Sequence, residues 1–351
     1  MIRVKTIPLS EARVGMKVAH NVYSGLGSLL LNKDTVLDFR KIKSLRTQGV
    51  KTVDVYVEED QVQIVNLRDI GYLPLMEEVR VFLNKIRDTE QIDFRLLANI
   101  VDGIKEIRDT REIVLWLTES FQPHLYIYYH SLNVALLAKL IGHWMKFSDK
   151  KITQLIYAGI LHDIGKFKVS PNILNKPGDL TDEEFEEVKK HSTYGYQMVH
   201  NLKFLSDNIK RGILDHHERR DGSGYPNQCV SGEISEIAEV IAIADIYDAM
   251  TSKRVYSEKQ SPFCVFKVME DESYNKLNVS ITRTLLNNIA NYYKGHRVIL
   301  NNGAKGEIVF INPNRIARPL IKDADGEFID LSMETSLKIT QMASGISFVE
   351  E

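Results

Sequence analysis

The sequence predicts a mainly α-helical protein with a small α/β module at its N-terminal end and a small β appendage at its C-terminal end. Apolar residues recur at steps of three and four from Leu73 to Tyr293, as on the buried face of a helix. Before residue 58 and after residue 295, shorter stretches alternate apolar and polar residues, which is typical of strands. A dense set of histidines and aspartates inside the helical part indicates a metal site.

The whole-chain composition restricts the class of protein. At 351 residues the chain is long enough for two or three domains. Its net charge of −2 gives no general attraction to nucleic acid or to an anionic membrane, so we expect no DNA or RNA partner. The two cysteines, Cys229 and Cys264, exclude a disulfide scaffold, and no stretch reaches the roughly 18 apolar residues of a membrane span. We therefore expect a cytoplasmic protein without membrane insertion.

Residues 1–58 are predicted to form a separate α/β module. The stretches 2–7 and 53–57 alternate at period two, and 28–31 is a further candidate strand. Asp38 can cap a helix that ends near Gly49. The module shows no metal-ligand cluster in its sequence, so we expect a regulatory role or a role in interdomain packing. The acidic and polar stretch 59–70 is interpreted as a linker.

Residues 71–123 are predicted to form a helical connector. Apolar residues form helical stripes between Leu73 and Ile86 and between Ile92 and Ile107, and 110–121 is a third candidate helix. Such stripes are typical of core or subunit contacts. We therefore expect a homodimer through the helices of residues 73–121, and signalling proteins are further candidate partners.

Residues 124–294 are predicted to be helical apart from short loops at 148–149, 170–178 and 221–232. Thr181 begins a capping box with Glu184, so a helix starts there and is expected to carry His191. Pro262 is typical of the first turn of a helix. Residues 295–351 are predicted to form the β appendage, with strands at 296–300, 307–311 and 318–321.

The residues with metal-binding chemistry concentrate in the helical part. His162 and Asp163 are adjacent near a helix end, as are His216 and His217. A lone histidine on an apolar helix is usually a structural residue, but five imidazoles and two carboxylates together favour a metal. Mixed imidazole and carboxylate ligands suit iron, manganese, nickel or zinc rather than magnesium or calcium. The candidate ligands are His130, His162, Asp163, His191, His216, His217 and Asp245.

Seven ligands exceed what one ion needs. Two ions about 3.5–4 Å apart that share a bridging carboxylate would use all seven, and Asp163 is the candidate bridge. The arrangement suits phosphoester hydrolysis, because one ion helps to generate a hydroxide and both stabilise the charge that develops on the phosphate oxygens. Lys166 follows three residues after Asp163 and could hold one of those oxygens.

These motifs resemble those of a known family. His162-Asp163, with His130, His191 and Asp245, resembles the HD superfamily of metal-dependent phosphohydrolases. The run from His216 to Pro226, HHERRDGSGYP, is similar to the signature of its HD-GYP branch. Lys176-Pro177-Gly178 and the stretch 244–252 match that branch in order and rough spacing. The resemblance covers about residues 124 to 265 strongly, and it implies an all-helical HD-GYP bundle.

The resemblance also implies an activity and a site. The expected enzyme is a metal-dependent phosphodiesterase that opens cyclic di-GMP to linear pGpG, and to GMP if both bonds are cut. Its cofactors would be two divalent ions, with iron or manganese expected. One ion would take His130, His162, Asp163 and Asp245, and the other Asp163, His191, His216 and His217. Asp163 and Lys166 are the candidate catalytic residues, and the candidate substrate contacts are Lys166, Gly224, Tyr225 and Arg254.

Two positions depart from the family pattern. Some members bind a third ion through a glutamate four residues before the first histidine, where this chain has Tyr126, so a two-ion site is expected. A basic residue that often follows Arg254 by three positions is Ser257 here, which could weaken the grip on one phosphate. A catalytically weak cyclic di-GMP receptor or interaction scaffold on the same fold is therefore an alternative. A phosphohydrolase with another nucleotide substrate is a third interpretation.

Overall fold

The computed structural model of this chain describes residues 2–9, 12, 16–25, 27–58, 71–107, 113–114, 117, 125–252 and 261–342. The chain divides into two compact units. The first comprises Met1–Phe82 and Asp93–Glu112, and the second comprises Leu83–Ile92 and Ile113–Glu351. The helix of residues 72–89 therefore contributes to both units.

The first unit contains a small module of two two-stranded sheets and one helix. Strands β1 (Ile2–Pro8) and β4 (Thr52–Glu58) pair antiparallel along their whole length, and β2 (Val22–Tyr23) pairs with β3 (Leu29–Leu31). Helix α1 (Phe39–Thr47) begins at the predicted cap, because the side chain of Asp38 accepts a hydrogen bond from the backbone N–H of Lys41. Its core is formed by Ile7, Leu9, Val18, Val22, Leu37, Ile42, Leu45, Val53 and Val55.

Two long helices follow the module. Helix α2 spans Tyr72–Thr89 and α3 spans Phe94–Glu106, with Asp93 as the N-cap of α3. Their apolar stripes are buried as the sequence predicts, including Val79, Phe82 and Ile100, which are fully inaccessible to solvent. The predicted linker at 59–70 and most of the predicted helix at 110–121 lie outside the described residues.

The second unit is a helical bundle around α4 and α10. These two helices are buried over most of their length. None of the helices in the described ranges has an apolar stretch long enough to cross a lipid bilayer. The helices are α4 (Tyr126–Trp144), α5 (Asp149–Leu161), a 3₁₀ helix (Ile164–Lys168), α6 (Pro171–Leu174), α7 (Asp182–Lys189), α8 (His191–Val199), α9 (Asp207–Asp215), α10 (Glu236–Thr251), α11 (Pro262–Ser273) and α12 (Val279–Asn291).

A five-stranded antiparallel sheet follows the bundle. Its strands lie in the order β8-β7-β6-β5-β9. The turns Asn302-Gly303 and Asp325-Gly326 place their glycines at positive φ, the backbone region that glycine adopts without strain. The strands are β5 (Arg297–Leu300), β6 (Lys305–Phe310), β7 (Leu320–Asp323), β8 (Phe328–Asp330) and β9 (Ile339–Met342).

The predicted fold class is confirmed: the protein is mainly helical, with small sheets at its two ends. Three details differ from the prediction. Strands β2, β8 and β9 were not predicted, the loop at 170–178 contains the short helix α6, and His191 begins α8 instead of lying inside the helix that starts at Thr181. That helix ends because the carbonyl of Val188 accepts hydrogen bonds from the Lys190 backbone N–H and from the ring of His191.

Candidate metal centre

The seven predicted ligands come from five segments of the bundle and meet in its interior. His130 lies in the second turn of α4 and Asp245 lies in α10. His162 is the C-cap of α5, and Asp163 follows it at the start of the 3₁₀ helix. His191 begins α8, while His216 and His217 end α9. Most of these residues are buried, and His162 and His216 are fully inaccessible to solvent.

One group of ligand atoms surrounds one oxygen of Asp163. Nε2 of His130 lies 3.1 Å from Oδ1 of Asp245 and 3.3 Å from Nε2 of His162. Oδ2 of Asp163 lies 3.5 Å from the His130 nitrogen and 3.4 Å from the His162 nitrogen. Four potential ligand atoms therefore converge from α4, α5, the 3₁₀ helix and α10.

A second group lies on the other side of the same carboxylate. Nε2 of His191 lies 3.3 Å from Nε2 of His216 and 3.4 Å from Oδ1 of Asp163. His217 completes this group, since each of the residues His191, His216 and His217 offers one ligand atom within 4.8 Å of the others. The two oxygens of Asp163 thus face different sets of imidazoles.

The Asp163 carboxylate supports a metal-binding interpretation. Its Oδ1 is buried and has no hydrogen-bond partner among the described residues. A buried carboxylate oxygen normally has a partner, and leaving it without one is costly. A cation between Oδ1 and the imidazoles would satisfy it, so the residues present fit a metal centre of imidazole and carboxylate ligands.

The backbone fixes how three of the imidazoles point. Nδ1 of His162, His191 and His216 donates to the carbonyl of the residue three positions earlier, at 2.8, 2.7 and 2.8 Å respectively. Because Nδ1 carries the proton in each ring, Nε2 presents its lone pair to the centre. All three histidines stand at a helix end or start, where this local hydrogen bond is possible.

His130 is oriented by a carboxylate that sequence analysis did not single out. Oδ2 of Asp248 lies 2.7 Å from Nδ1 of His130. The other oxygen of Asp248 accepts hydrogen bonds from Nδ2 of Asn133 at 2.7 Å and from the hydroxyl of Ser252 at 3.1 Å. Two sequence features point to Asp248. It lies three residues after Asp245, one turn further along α10, and it falls within the stretch 244–252 that resembles the HD-GYP branch.

The electrostatics suit cation binding at neutral pH. Burial lowers the pKa of His191 to about 4, and burial with the neighbouring imidazoles holds the pKa of His216 and His217 well below the ordinary value. These rings are therefore neutral and able to bind a metal. Burial opposes ionisation of Asp163, but Lys166 and His162 outweigh it and hold the pKa of this carboxyl well below its usual range.

His130 behaves differently from the other imidazoles. Burial lowers its pKa, but the hydrogen bonds with Asp245 and Asp248 outweigh burial and raise the pKa to about 9. Without a cation, its ring is therefore protonated at pH 7 and bonded to a carboxylate at each nitrogen. A metal ion at this position would replace the proton on Nε2.

The close packing around the centre depends on glycine. A Cβ at Gly165 would lie 1.9 Å from the carbonyl oxygen of His191 and 2.4 Å from the backbone nitrogen of Gly195. The 3₁₀ helix that follows Asp163 therefore packs directly on the backbone of α8. This contact brings Asp163 beside His191.

Two of the predicted substrate contacts, Lys166 and Tyr225, lie beside candidate metal ligands. Nζ of Lys166 lies 2.5 Å from Oδ2 of Asp163, and its side chain is partly exposed. Tyr225 stacks on His217 with ring centroids 4.6 Å apart, and Gly224 precedes it in the loop. Arg254 and Ser257 lie outside the described residues.

Comparison with known proteins places this centre in a family. The HD domain family matches residues 108–281. A cyclic di-GMP phosphodiesterase of Pseudomonas aeruginosa is 32% identical over 197 residues, which are 56% of this chain and 47% of the relative. The 3'3'-cGAMP-specific phosphodiesterase 3 of Vibrio cholerae is 35% identical over 149 residues, which are 42% of this chain and 32% of that relative. This chain thus spans about half of the first relative's length and a third of the second's.

A solved structure supports the fold. Bd1817, an HDG"Y"P protein from Bdellovibrio bacteriovorus, superposes with a TM-score of 0.54 at 16% sequence identity, over 81% of this chain and 98% of its own. The helical bundle and its clustered histidines and aspartates define an HD-domain protein. Residues 108–281 therefore match an HD domain, and the run from His216 to Pro226 is similar to the signature of the HD-GYP branch.

Proposed function

We propose that this protein is a metal-dependent phosphodiesterase that hydrolyses cyclic di-GMP to linear pGpG, and to GMP when the second bond is also cut. The observation that carries the proposal is the position of Asp163. One of its oxygens faces His130 and His162, and the other faces His191. A carboxylate shared between two imidazole groups is the arrangement expected for two neighbouring ions in phosphoester hydrolysis.

The ligand groups suggest how two ions are held. His130, His162, Asp163 and Asp245 would hold one ion, and Asp163, His191, His216 and His217 would hold the other. The high share of imidazole nitrogen favours iron or manganese over magnesium. When bound, such ions supply an activated water and neutralise charge on the phosphate oxygens.

The chain's own side chains would bind and orient the substrate. Lys166 contacts Asp163 and is partly exposed, so its ammonium group can turn to a phosphate oxygen once cations occupy both sides of that carboxylate. Tyr225 offers an aromatic surface beside His217, and aromatic rings commonly stack on nucleobases. Arg254 is proposed as a second phosphate contact on the basis of its motif alone.

The substrate could also be a mixed cyclic dinucleotide, because one relative acts on 3'3'-cGAMP. The test is anaerobic hydrolysis of cyclic di-GMP and 3'3'-cGAMP, each with protein loaded with Fe(II) or Mn(II), and with the products separated by chromatography. Asp163→Ala serves as the inactive control, since it removes the carboxylate that both groups share. The ratio of kcat/KM between the two substrates would assign the specificity.

Three outcomes separate the alternatives. Turnover of cyclic di-GMP that Asp163→Ala abolishes supports the phosphodiesterase proposal, and the ratio of pGpG to GMP gives the number of bonds cut. Tight binding of intact dinucleotide without turnover supports the receptor interpretation and directs attention to Ser257. Turnover of neither substrate, with no binding, contradicts both.

Residues outside the bundle are proposed to have supporting roles. Residues 1–58 would act as a regulatory module, and the helices within 73–121 would form a homodimer contact. Sedimentation that shows a monomer at micromolar concentration would contradict the dimer.

A further inference from the structure

Glu218 is a buried acidic side chain that the proposed chemistry does not use. Glu218 is only 2% exposed, and it directly follows the candidate ligand His217. A buried carboxylate needs hydrogen-bond donors or an opposite charge, because the loss of hydration is otherwise too costly. Its role therefore depends on which groups meet its two oxygens.

Both oxygens of Glu218 accept hydrogen bonds from backbone N–H groups of the Gly-Tyr-Pro loop, which we define as residues 219–230. Oε1 accepts from the N–H of Asn227 at 2.6 Å, and Oε2 accepts from the N–H of Cys229 at 3.0 Å. These bonds bring the returning part of the loop back onto the residue from which it departs. Hydrogen bonds to an ionised carboxylate are shorter and stronger than neutral ones.

The outgoing part of the loop packs on the same residue. A Cβ at Gly224 would lie 2.4 Å from both the backbone nitrogen of Arg219 and the Cα of Glu218. The backbone N–H of Tyr225 donates to the carbonyl of His217 at 3.3 Å. The loop is thus closed around Glu218 by backbone contact on one side and by the carboxylate on the other.

The closed loop places Tyr225 against the metal centre. Its ring stacks on His217, with ring centroids 4.6 Å apart and planes 24° apart. The ring centroid of His191 lies 6.3 Å away, and the planes of these two rings are 80° apart. Tyr225 lies two residues before Asn227, the first of the two residues that Glu218 holds. Release of Asn227 and Cys229 would free the segment that carries this ring.

We infer that Glu218 is a positioning residue that fixes the Gly-Tyr-Pro loop so that Tyr225 forms a wall of the dinucleotide site. The inference rests on the proposed function, because it assigns Tyr225 to substrate binding. An amide in place of the carboxylate has only one acceptor oxygen, so it cannot hold both N–H groups. Its NH₂ group would face the second N–H, donor against donor.

The experiment compares Glu218→Gln with the wild-type full chain, both loaded with Mn(II), on cyclic di-GMP and on bis(p-nitrophenyl) phosphate. The small diester has no nucleobase or ribose to meet Tyr225. We expect kcat/KM for cyclic di-GMP to fall by about 10- to 100-fold, mainly through KM, with turnover of the small diester and the metal content unchanged. Hydrogen exchange of the peptide that contains residues 219–230 should become faster.

Glu233→Gln is the matched control. Glu233 is exposed, and its carboxylate accepts a hydrogen bond from the N–H of Val230 at 2.9 Å, which a glutamine can also accept. This variant should match the wild type on both substrates. Tyr225→Ala should show the same selective loss as Glu218→Gln, and the double variant should be little worse than the worse single variant, because both changes act through one ring.

Three results would overturn the inference. Equal losses on both substrates in Glu218→Gln would mean that Glu218 acts through the metal centre. A normal KM for cyclic di-GMP in either Glu218→Gln or Tyr225→Ala would mean that the loop does not contact the dinucleotide. If the wild type cleaves only the small diester, the proposed substrate turnover fails, and the inference is tested by equilibrium binding of cyclic di-GMP instead. Equal affinity of the wild type and Glu218→Gln for cyclic di-GMP would then overturn the inference.

Discussion

Asp248 and Asp245 lie one turn apart on α10 and contact opposite nitrogens of one imidazole. Oδ2 of Asp248 lies 2.7 Å from Nδ1 of His130, and Oδ1 of Asp245 lies 3.1 Å from its Nε2. The carboxylate of Asp245 would share an ion with His130, whereas the carboxylate of Asp248 can only orient the ring. Such outer carboxylates raise the basicity of a ligand imidazole and fix its direction.

Asp248→Asn should weaken metal binding by His130, His162 and Asp245 by about 10- to 100-fold, because the amide is a poorer partner for the imidazole N–H of His130. The ion held by His191, His216 and His217 should keep its affinity, since Nδ1 of His191 and of His216 bonds to a backbone carbonyl. Metal analysis after dialysis against graded chelator should therefore show loss of one ion before the other. Asp207→Asn, at a side chain that is 95% exposed, is the control. Equal loss of both ions would contradict this assignment of Asp248.

The sequence alone predicted where two adjacent pairs of candidate ligands lie relative to the helices. Adjacent pairs such as His162-Asp163 and His216-His217 were predicted at helix ends, and the structure places both there. The helical stripes of α2 and α3 and the caps at Asp38 and Thr181 also agree with local rules. These features depend on contacts within a few residues, which local patterns encode.

Features that depend on distant contacts were not predictable in the same way. Glu218 and Asp221 are both acidic residues of the run from His216 to Pro226, and nothing in that run tells them apart. In the structure Glu218 is buried, whereas Asp221 is exposed and accepts hydrogen bonds from Ser223. Strand β9 pairs with β5, which lies about 40 residues earlier in the chain. The four residues of β9 alone therefore do not predict which strand it pairs with. The orientation of His130 likewise depends on Asp248, 118 residues away.

Lys166→Ala should leave the metal content intact and lower kcat/KM for cyclic di-GMP by about 100-fold, because it removes a charge proposed to meet the phosphate. Lys168→Ala is the matched control in the same 3₁₀ helix, since Lys168 pairs with Glu90 instead of contacting Asp163. Metal analysis and steady-state kinetics of both variants are the measurements. Loss of metal in Lys166→Ala would show that this lysine supports Asp163 and not the substrate.

Gly165→Ala should destabilise the protein by about 2 kcal/mol or more, because the added methyl group meets backbone atoms that cannot move aside separately. The same clash pushes the 3₁₀ helix away from α8, so metal affinity should fall together with the free energy of unfolding. Gly25→Ala is the control, since a Cβ there meets no atom within 4 Å. Denaturant unfolding and metal titration test both parts, and unchanged stability of Gly165→Ala would contradict the described packing.

Metal binding should release about one proton per chain from His130 near pH 7.5. The pKa of His130 is about 9 in the metal-free protein, so its ring carries a proton that the metal must replace, whereas His191 has a pKa of about 4 and is already neutral. The apparent affinity should therefore rise with pH up to about 9 and then level off. The raised pKa also means that His130 stabilises the metal-free fold most below pH 6.5 and that this stabilisation is lost as pH rises towards 9. Calorimetric Mn(II) titrations in buffers of different ionisation enthalpy measure the released protons, and a heat of binding that does not depend on the buffer would show that His130 is neutral before the metal binds.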